Sequence, residues 1–304
     1  MQKLVYTIPE SYGGCTVQQF LRGCAGLSWR MVVKLKRVPG GITLDGRPVR
    51  TIDRVGAGGR LVLLLPEDTV RIDGVDLPLD VVYEDPYLLV VNKPPLLAVH
   101  PSAFKAGPTL ANIVVHHFAQ SGQPLSFRPL NRLDRNTSGL LLAAKNAHIA
   151  HALTTHAANS KIEKFYLALA LGRLEGGGVI DQPIRIREGS AITREVAGPG
   201  DAGGKPSVTH WESLAACDTL SLLRIRLETG RTHQIRVHMA WIGHPLAGDT
   251  MYGEDQTVMS RHGLHCAEMS FTHPVNGAAM RFQQELPEDM RRVVAEYFGE
   301  DFVL

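Results

Sequence analysis

The sequence predicts an α+β fold in which a mainly antiparallel, mixed sheet is preceded by a small α/β domain. Two observations carry this prediction. Hairpin and strand patterns are interspersed with segments of helical spacing along most of the chain. Residues 67–78 are polar with scattered Gly and Pro, which is typical of a linker. We therefore expect a small domain over residues 14–75 and a larger domain over residues 79–304.

The composition excludes several classes of protein. Hydrophobic residues make up 44% of the 304 residues and charged residues 20%, which argues against a disordered or fibrous chain. No apolar run reaches the roughly 18 residues of a membrane span, and the first residues do not resemble a secretory leader. We therefore expect a cytoplasmic protein. The four cysteines have no CxxC spacing, which argues against a zinc site and a disulfide framework.

The first elements form a compact unit of two helices and a hairpin. Thr16 and Ser28 are suitable N-caps for two short helices, each of which carries apolar residues at helical spacing. The dipeptide Asp45-Gly46 is typical of a hairpin turn, and residues 60–65 alternate as a strand does. The predicted order is helix, helix, hairpin, strand.

This first region is strongly basic. Residues 14–60 contain nine basic and two acidic residues, a net charge of +7 in a chain whose total is only +2. The order of elements, with GLS before the second helix and LDGRPV at the hairpin, resembles the S4-type RNA-binding module. The resemblance implies a cationic face that binds RNA phosphates. The residues of this face are Arg30, Lys34, Lys36 and Arg37. A solvated basic surface without a ligand is the alternative.

The second region continues with a hairpin and further helices and strands. The turn Glu84-Asp85-Pro86 joins two strands, of which the second ends at Asn92. Apolar spacing predicts three helices, at residues 109–120, 146–157 and 232–242. Four more strands are predicted at residues 139–144, 165–171, 207–214 and 220–227.

One acidic residue occupies an unusual place. The run NRLDRNTSGLL, residues 131–141, puts Asp134 between Arg132 and Arg135, just ahead of a strand that we expect to be buried. Neighbouring cations favour the ionised carboxylate, which then acts as a nucleophile or an electrostatic stabiliser. From the spacing alone, a structural salt bridge in a loop is the stronger interpretation.

Several sequence blocks together change that interpretation. The family pattern HRLDxxTSGLL matches residues 131–141 at every specified position except 131, where the chain has Asn, and four further blocks follow the same family in order. They read DPYLLVVNKPP, KIEKFYLALALG, ETGRTHQIRVHMAWIGHPLAGDTMYG and LHCAEMSFTHP. In combination they resemble the RluA-type pseudouridine synthases from about Leu79 to the C-terminus. The resemblance implies an enzyme that isomerises selected uridines of RNA to pseudouridine without a cofactor or a metal.

The same resemblance assigns roles to single residues. Asp134 is expected to act at the anomeric carbon of the target ribose, and Arg236 is expected to pair with it. Tyr166 matches the active-site tyrosine, although packing in the core is the usual role of an isolated strand tyrosine. Arg132 is expected to enter the space that the everted nucleotide leaves. Arg231 is expected to bind an RNA phosphate, with a plain surface arginine as the alternative.

Two further details concern the helix and the loop of the predicted site. In the predicted helix 232–242, His233 and Arg236 are three residues apart and would share one face. Asn131 stands where the family usually has histidine. An amide can still hydrogen-bond but does not titrate near neutral pH, so we expect a change in loop orientation or RNA contacts and no loss of activity.

Two other functions compete with RNA isomerisation. Thirteen histidines suggest a metal-dependent hydrolase, but His233 and His238 are five residues apart and would diverge on a helix. A non-catalytic RNA-binding protein is the second alternative, because the S4-type module alone would explain RNA affinity. As the substrate we expect large-subunit ribosomal RNA, with transfer RNA as the second choice, and we expect the protein to be a monomer.

Overall fold

The computed structural model describes residues 3–65, 72–101, 107–122, 125–155, 162–198, 200–201, 203–254 and 257–302. Part of the predicted linker 67–78 and the end of the predicted helix 146–157 lie outside these residues. Among the described residues, no helix is long and apolar enough to cross a membrane.

The N-terminal part is a four-stranded antiparallel sheet with two short helices. Its strands are β1 (Lys3–Thr7), β2 (Ile42–Leu44), β3 (Arg47–Pro48) and β4 (Arg60–Leu64), in the order β1-β4-β2-β3. The helices are α1 (Val17–Gly23) and α2 (Trp29–Leu35). The predicted caps are confirmed, since the side chains of Thr16 and Ser28 accept bonds from backbone N–H groups three residues later.

The strand β1 was not expected from the sequence. It lies before residue 14, where the predicted small domain begins, and it pairs along its whole length with β4. Leu4 and Ile8 are buried in the same apolar cluster as the residues of α1 and α2. The alternation of only five residues is too short to distinguish a strand from a loop by sequence, so the pairing partner decides its conformation.

The second part is built on one sheet of ten strands. Its elements in chain order are β5 (Val81–Glu84), β6 (Leu88–Lys93), α3 (Leu110–Gln120), β7 (Arg128–Pro129), β8 (Ser138–Ala144), α4 (Ala147–Thr155), β9 (Glu163–Leu171), β10 (Gly177–Asp181), β11 (Ile184–Ile186), β12 (Arg194–Val196), β13 (Val208–Ala216), β14 (Leu220–Leu227), α5 (Gln234–Trp241), β15 (Leu264–Thr272), β16 (Ala279–Gln283) and α6 (Glu288–Phe298). The main strand order is β10-β13-β14-β9-β15-β8-β6-β5, with β16 beside β15 and β7 beside β8. The strands β11 and β12 form a separate hairpin.

The pairing confirms the predicted fold class. Among the described pairs only β8 and β15 run parallel, and the others are antiparallel, so the sheet is mixed and mainly antiparallel. The apolar core lies over this sheet and includes β6, β8 and the inner face of α3.

The strands β8, β15 and β9 lie side by side in the centre of the sheet, and the close approach of β8 to β15 positions the segment that carries Asp134. Gly139 of β8 lies opposite Cys266 of β15, and Cys266 lies opposite Tyr166 of β9. A Cβ atom at Gly139 would lie only 2.3 Å from the carbonyl oxygen of Cys266, and the φ of Gly139 is +105°. Only glycine allows the two backbones to approach this closely. The segment before β8, which contains Asp134, is therefore brought next to Tyr166.

Candidate active site

The segment between β7 and β8 carries Asp134, and Asn131 ties its start to the sheet. The Asn131 side chain is 5% exposed. Its amide nitrogen donates to the carbonyl of Leu140 (3.1 Å), and its amide oxygen accepts from the backbone N–H of Leu142 (2.8 Å). Both ends of the amide are therefore occupied by β8. This is the structural role of the residue at which the chain departs from the family pattern.

Two buried basic side chains hold the backbone on the other side of Asp134. Lys93 is fully buried, and its Nζ donates to the carbonyl of Arg135 (3.1 Å) and to two further carbonyls. Burial and the charge of Arg261 lower the pKa of Lys93 to about 7. Arg261, 2% exposed, donates from Nη1 to the carbonyl of Asn136 (2.9 Å). The loop is thus fixed at successive carbonyls.

A buried histidine closes the same loop. His262 Nε2 and Thr137 Oγ1 are hydrogen-bonded at 2.9 Å, and both residues are almost fully buried. Burial lowers the pKa of His262 to about 4, so the ring is neutral at neutral pH. Lys93, Arg261 and His262 were missed by sequence reasoning. Each lies far along the chain from the loop that it contacts, and only the fold brings them together.

Asp134 lies against the guanidinium of Arg236. Arg236 Nη1 donates to Asp134 Oδ2 at 3.1 Å, and the Asp134 side chain is 26% exposed. The other two nitrogens, Nε and Nη2, donate to the two oxygens of Asp249 at 2.7 Å each. Burial would raise the pKa of Asp249, but the hydrogen bonds and charge of Arg236 outweigh it and lower this pKa. Asp249, which sequence reasoning also missed, fixes the plane in which Arg236 meets Asp134.

The helix expected over residues 232–242 begins later than predicted. It starts at Gln234, and His233 is its N-cap residue with a left-handed φ of +58°. The predicted start of the helix is therefore wrong, but His233 and Arg236 do lie on one side as predicted, since both side chains face Asp134. His233 reaches the site with Nε2 at 3.8 Å from Asp134 Oδ2 and Nδ1 at 2.8 Å from the hydroxyl of Tyr252. Burial is the main cause that lowers the pKa of His233.

Tyr166 and two exposed arginines complete a small cleft around Asp134. Tyr166 is 5% exposed, and burial raises the pKa of its phenol well above the usual value. The cleft is open to solvent and is lined by Arg132, Leu133, Asp134, Thr137, Tyr166, Leu227, Arg231, His233, Gln234, Ile235, Arg236 and Leu264. Arg132 and Arg231 are exposed at its rim. The structure thus brings six of the predicted residues into one place.

The four basic residues predicted for RNA binding in the N-terminal part lie outside this cleft. Arg30 and Lys34 are on α2, whereas Lys36 and Arg37 follow the end of the helix. All four side chains are exposed. Their position permits contact with a large polyanion and does not include them in the site around Asp134.

The histidines do not form a metal site within the part of the chain that is described. His238 is buried, and its two ring nitrogens are hydrogen-bonded to Thr209 and to the carbonyl of Gln182. Among the described residues, no group of three or more His, Cys, Asp or Glu side chains is placed to hold a metal ion.

Comparison with known proteins places the chain in a family. A family model described as RNA pseudouridylate synthase matches residues 87–241, which include Asp134, Tyr166 and Arg236. The chain belongs to the RNA pseudouridylate synthase family. It is 35% identical to an uncharacterized RNA pseudouridine synthase of Bacillus subtilis, over 92% of this chain and 98% of that protein. It is 34% identical to ribosomal large subunit pseudouridine synthase D of Vibrio vulnificus, over 95% of this chain and 92% of that protein.

The solved structures agree with this placement. The human RNA pseudouridylate synthase domain containing 1 has a TM-score of 0.56 and 30% identity, and the match covers 69% of this chain and 84% of that one. The resemblance inferred from the sequence blocks is therefore confirmed, and this pseudouridine synthase is an isomerase that acts on RNA. The S4-type module and the division at residues 75–79 stay predictions.

Proposed function

We propose that this pseudouridine synthase isomerises uridines of large-subunit ribosomal RNA and that Asp134 is its catalytic carboxylate. One observation carries the assignment of Asp134. Its carboxylate meets Arg236, which Asp249 holds rigidly, in a cleft that Tyr166 also lines. A carboxylate positioned in this way needs no reorganisation when it meets the ribose.

The reaction requires an everted nucleotide, because a stacked uridine hides its glycosidic bond. In the proposed course, Asp134 acts at the ribose while the bond between the anomeric carbon and N1 of uracil breaks. The uracil turns within the cleft, carbon 5 bonds to the anomeric carbon, N1 gains a proton and carbon 5 loses one. Covalent addition of Asp134 and abstraction of a ribose proton are both compatible with this placement.

The other residues of the cleft assist this course. The ring of Tyr166 is proposed to stack on the uracil, and its raised pKa keeps the phenol protonated, so that its hydroxyl acts as a donor. Arg132, exposed at the rim, is proposed to fill the place of the everted base. Arg231 and His233 are proposed to contact the RNA around the target nucleotide.

The choice of ribosomal RNA rests on the relatives. Several proteins that resemble this chain over most of its length are named ribosomal large subunit pseudouridine synthase D. A ribosomal substrate would also place the protein in the cytoplasm. Transfer RNA is the second candidate. The exposed basic residues of the N-terminal part are proposed to add affinity through RNA phosphates.

The test uses cells that do not have this gene, complemented with wild type, Asp134→Asn or Asp218→Asn. Pseudouridines are then mapped in ribosomal and transfer RNA. We expect wild type and Asp218→Asn to restore the same positions in large-subunit RNA and Asp134→Asn to restore none. Asp218 is the matched control because its carboxylate is 91% exposed and lies away from the cleft. Restoration by Asp134→Asn would overturn its catalytic role, and restoration in transfer RNA alone would overturn the choice of substrate.

A further inference from the structure

A second cleft adjoins the one that holds Asp134. It lies between the β11–β12 hairpin and the turn at residues 230–232, and its volume is about 480 Å³. Arg132 and Arg231 line both clefts, so the two cavities share a wall of two exposed arginines. The second cleft contains no residue of the site around Asp134 other than these two. A polymer that places one unit in the first cleft would therefore extend past these two arginines into the second cleft.

The lining of the second cleft is strongly cationic. Its charged residues are Arg132, Arg185, Arg194, Lys205, Arg231 and Asp201. Arg185 is already neutralised, since its guanidinium is 2.6 Å from Asp201 and 2.8 Å from Glu195. The four remaining cations have no ion pair with any residue in the described part of the chain. The cleft therefore carries an uncompensated positive charge that a polyanion would neutralise.

Hydrogen bonds anchor three of these residues, Lys205, Arg194 and Arg231, to the surrounding chain. Lys205 exchanges two backbone hydrogen bonds of 2.9 Å with Ile184 of β11, so its exposed side chain starts from a rigid point. Arg231 Nε donates to the carbonyl of Pro206 at 3.1 Å, and the backbone N–H of Arg194 donates to the hydroxyl of Tyr252 at 2.9 Å. Ile186, 56% exposed, adds an apolar surface to the same wall.

We propose that this second cleft holds the sugar–phosphate backbone of the RNA strand that flanks the target uridine, with Lys205 and Arg194 bound to its phosphates. The inference rests on the proposed function and extends it from one nucleotide to the neighbouring strand. Cations and an apolar wall together suit a single strand, whose phosphates and sugar or base faces are both accessible. Arg132 and Arg231 then mark the step at which the strand passes from one cleft into the other.

The experiment compares RNA of two lengths on the full chain. All proteins carry Asp134→Asn so that binding is measured without turnover. The probes are fluorescent oligouridylates of 4 and 12 nucleotides, and dissociation constants are measured between 0.05 and 0.3 M salt. The variants are Lys205→Gln, Lys205→Glu and the conservative Lys205→Arg. The matched control is Arg292→Gln on α6, whose side chain is 73% exposed and lines neither cleft.

For Lys205→Gln we expect about a fivefold loss of affinity for the 12-mer and a salt slope smaller by roughly 0.7 to 1, as for one lost phosphate contact. Lys205→Glu should lose more, and Lys205→Arg should retain the affinity. The 4-mer should bind all variants alike. The proposal is overturned if Lys205→Gln binds the 12-mer as the parent does, if Arg292→Gln loses as much, if both lengths lose equally, or if the parent binds neither RNA.

Failure of this inference and failure of the proposed function remain distinguishable. The binding measurement does not depend on catalysis, whereas the proposed function is read from pseudouridines in ribosomal RNA. A protein that modifies ribosomal RNA but whose affinity is indifferent to Lys205 would overturn only the second cleft. A protein that modifies no uridine in ribosomal RNA but binds the 12-mer through Lys205 would overturn only the proposed substrate.

Discussion

Arg236 is the residue on which the geometry around Asp134 depends. Its guanidinium donates two hydrogen bonds to Asp249, from Nε and Nη2, and one to Asp134, from Nη1. A free arginine side chain has many rotamers, and the planar pairing with Asp249 restricts them to one. Asp249 is fully buried and does not touch Asp134, so it is a positioning residue.

Replacing Asp249 by Asn should therefore impair both rate and stability. The amide keeps the shape but loses the charge that neutralises a buried guanidinium, and breaking a buried pair typically costs about 3–5 kcal/mol. We expect turnover to fall by about 10- to 100-fold with a smaller change in KM, since misplacement of Asp134, the proposed catalytic carboxylate, would act on the chemical step. Single-turnover kinetics and urea unfolding measure the two effects.

A matched variant separates positioning from stability. Lys145 and Glu84 also form an ion pair, with Nζ 2.6 Å from Oε1 and the Lys145 side chain 8% exposed, and neither residue lines the cleft. Glu84→Gln should therefore lose stability and retain most of the turnover of the folded enzyme. Equal loss of turnover in both variants would show that Asp249 acts only through stability.

At the scale of single residues the sequence predicted the centre of the site but not its support. Asp134, Tyr166 and Arg236 lie in recognisable blocks, and the structure brings them to one cleft. Lys93 and Asp249 lie in blocks too, yet their roles depend on which carbonyl or guanidinium the fold presents to them. Spacing along the chain does not encode such partners.

At the scale of elements, Gly139 sets the distance between β8 and β15. Because its missing Cβ would lie 2.3 Å from a carbonyl oxygen, Gly139→Ala should force the two strands apart. We expect a loss of more than about 3 kcal/mol in unfolding free energy, from overpacking together with strain at positive φ. Gly176→Ala is the control, with a φ of +77° and open space at the Cβ position. It should cost about 1 kcal/mol, from strain at positive φ alone. A similar cost at both positions in urea unfolding would show that Gly139 does not set the distance between the strands.

Elements were predictable from the sequence where local signals were strong. The helices α1, α2 and α3 have both a suitable N-cap and apolar spacing, and all three were predicted. The strand β1 and the hairpin β11–β12 were not, because three to five residues give too little periodicity. The longer elements β15 and α6 were not predicted either. The start of α5 was misplaced because nothing in the sequence indicates that His233 adopts a left-handed φ. Histidine is also common inside helices, so the residue did not mark the boundary.

At the scale of the whole molecule, buried neutral histidines should make the fold sensitive to acid. Burial lowers the pKa of His262 and of His265 to about 4, from an ordinary 6.5. Between pH 6.5 and 4 the unfolded chain binds these protons and the folded chain does not. The contribution of these two histidines to stability is therefore constant above about pH 6.5 and is lost as the pH falls towards 4.

The size of this effect is on the order of 3 kcal/mol for each histidine, at 1.4 kcal/mol per pKa unit. His262→Asn should flatten the decline in unfolding free energy, because it removes one of the two titrating groups. Urea unfolding at pH 7.5, 6 and 5 measures the decline. Parallel pH curves for the variant and the wild type would show that His262 does not titrate in this range.

The N-terminal and C-terminal parts are also in contact, which bears on how RNA binding should be tested. The hydroxyl of Tyr6 in β1 is hydrogen-bonded to His148 of α4 at 3.0 Å, and Tyr87 packs against the apolar cluster of the first sheet. Deleting the first 75 residues would remove these contacts and expose part of the core. Substitutions on the exposed basic surface avoid that disturbance.

We therefore expect Arg30→Gln with Lys34→Gln to weaken RNA binding without harming the fold. Both side chains are exposed on α2, so their removal should leave the unfolding free energy within about 0.5 kcal/mol. Each lost phosphate contact should reduce the slope of log affinity against log salt by roughly 0.7 to 1, so the double variant should reduce it by roughly 1.4 to 2. Single-turnover rates at saturating ribosomal RNA should match the wild type, because Asp134 and its partners are untouched. An unchanged affinity would remove the case for RNA binding by α2, and a lower saturated rate would show that this helix also orients the RNA in the cleft.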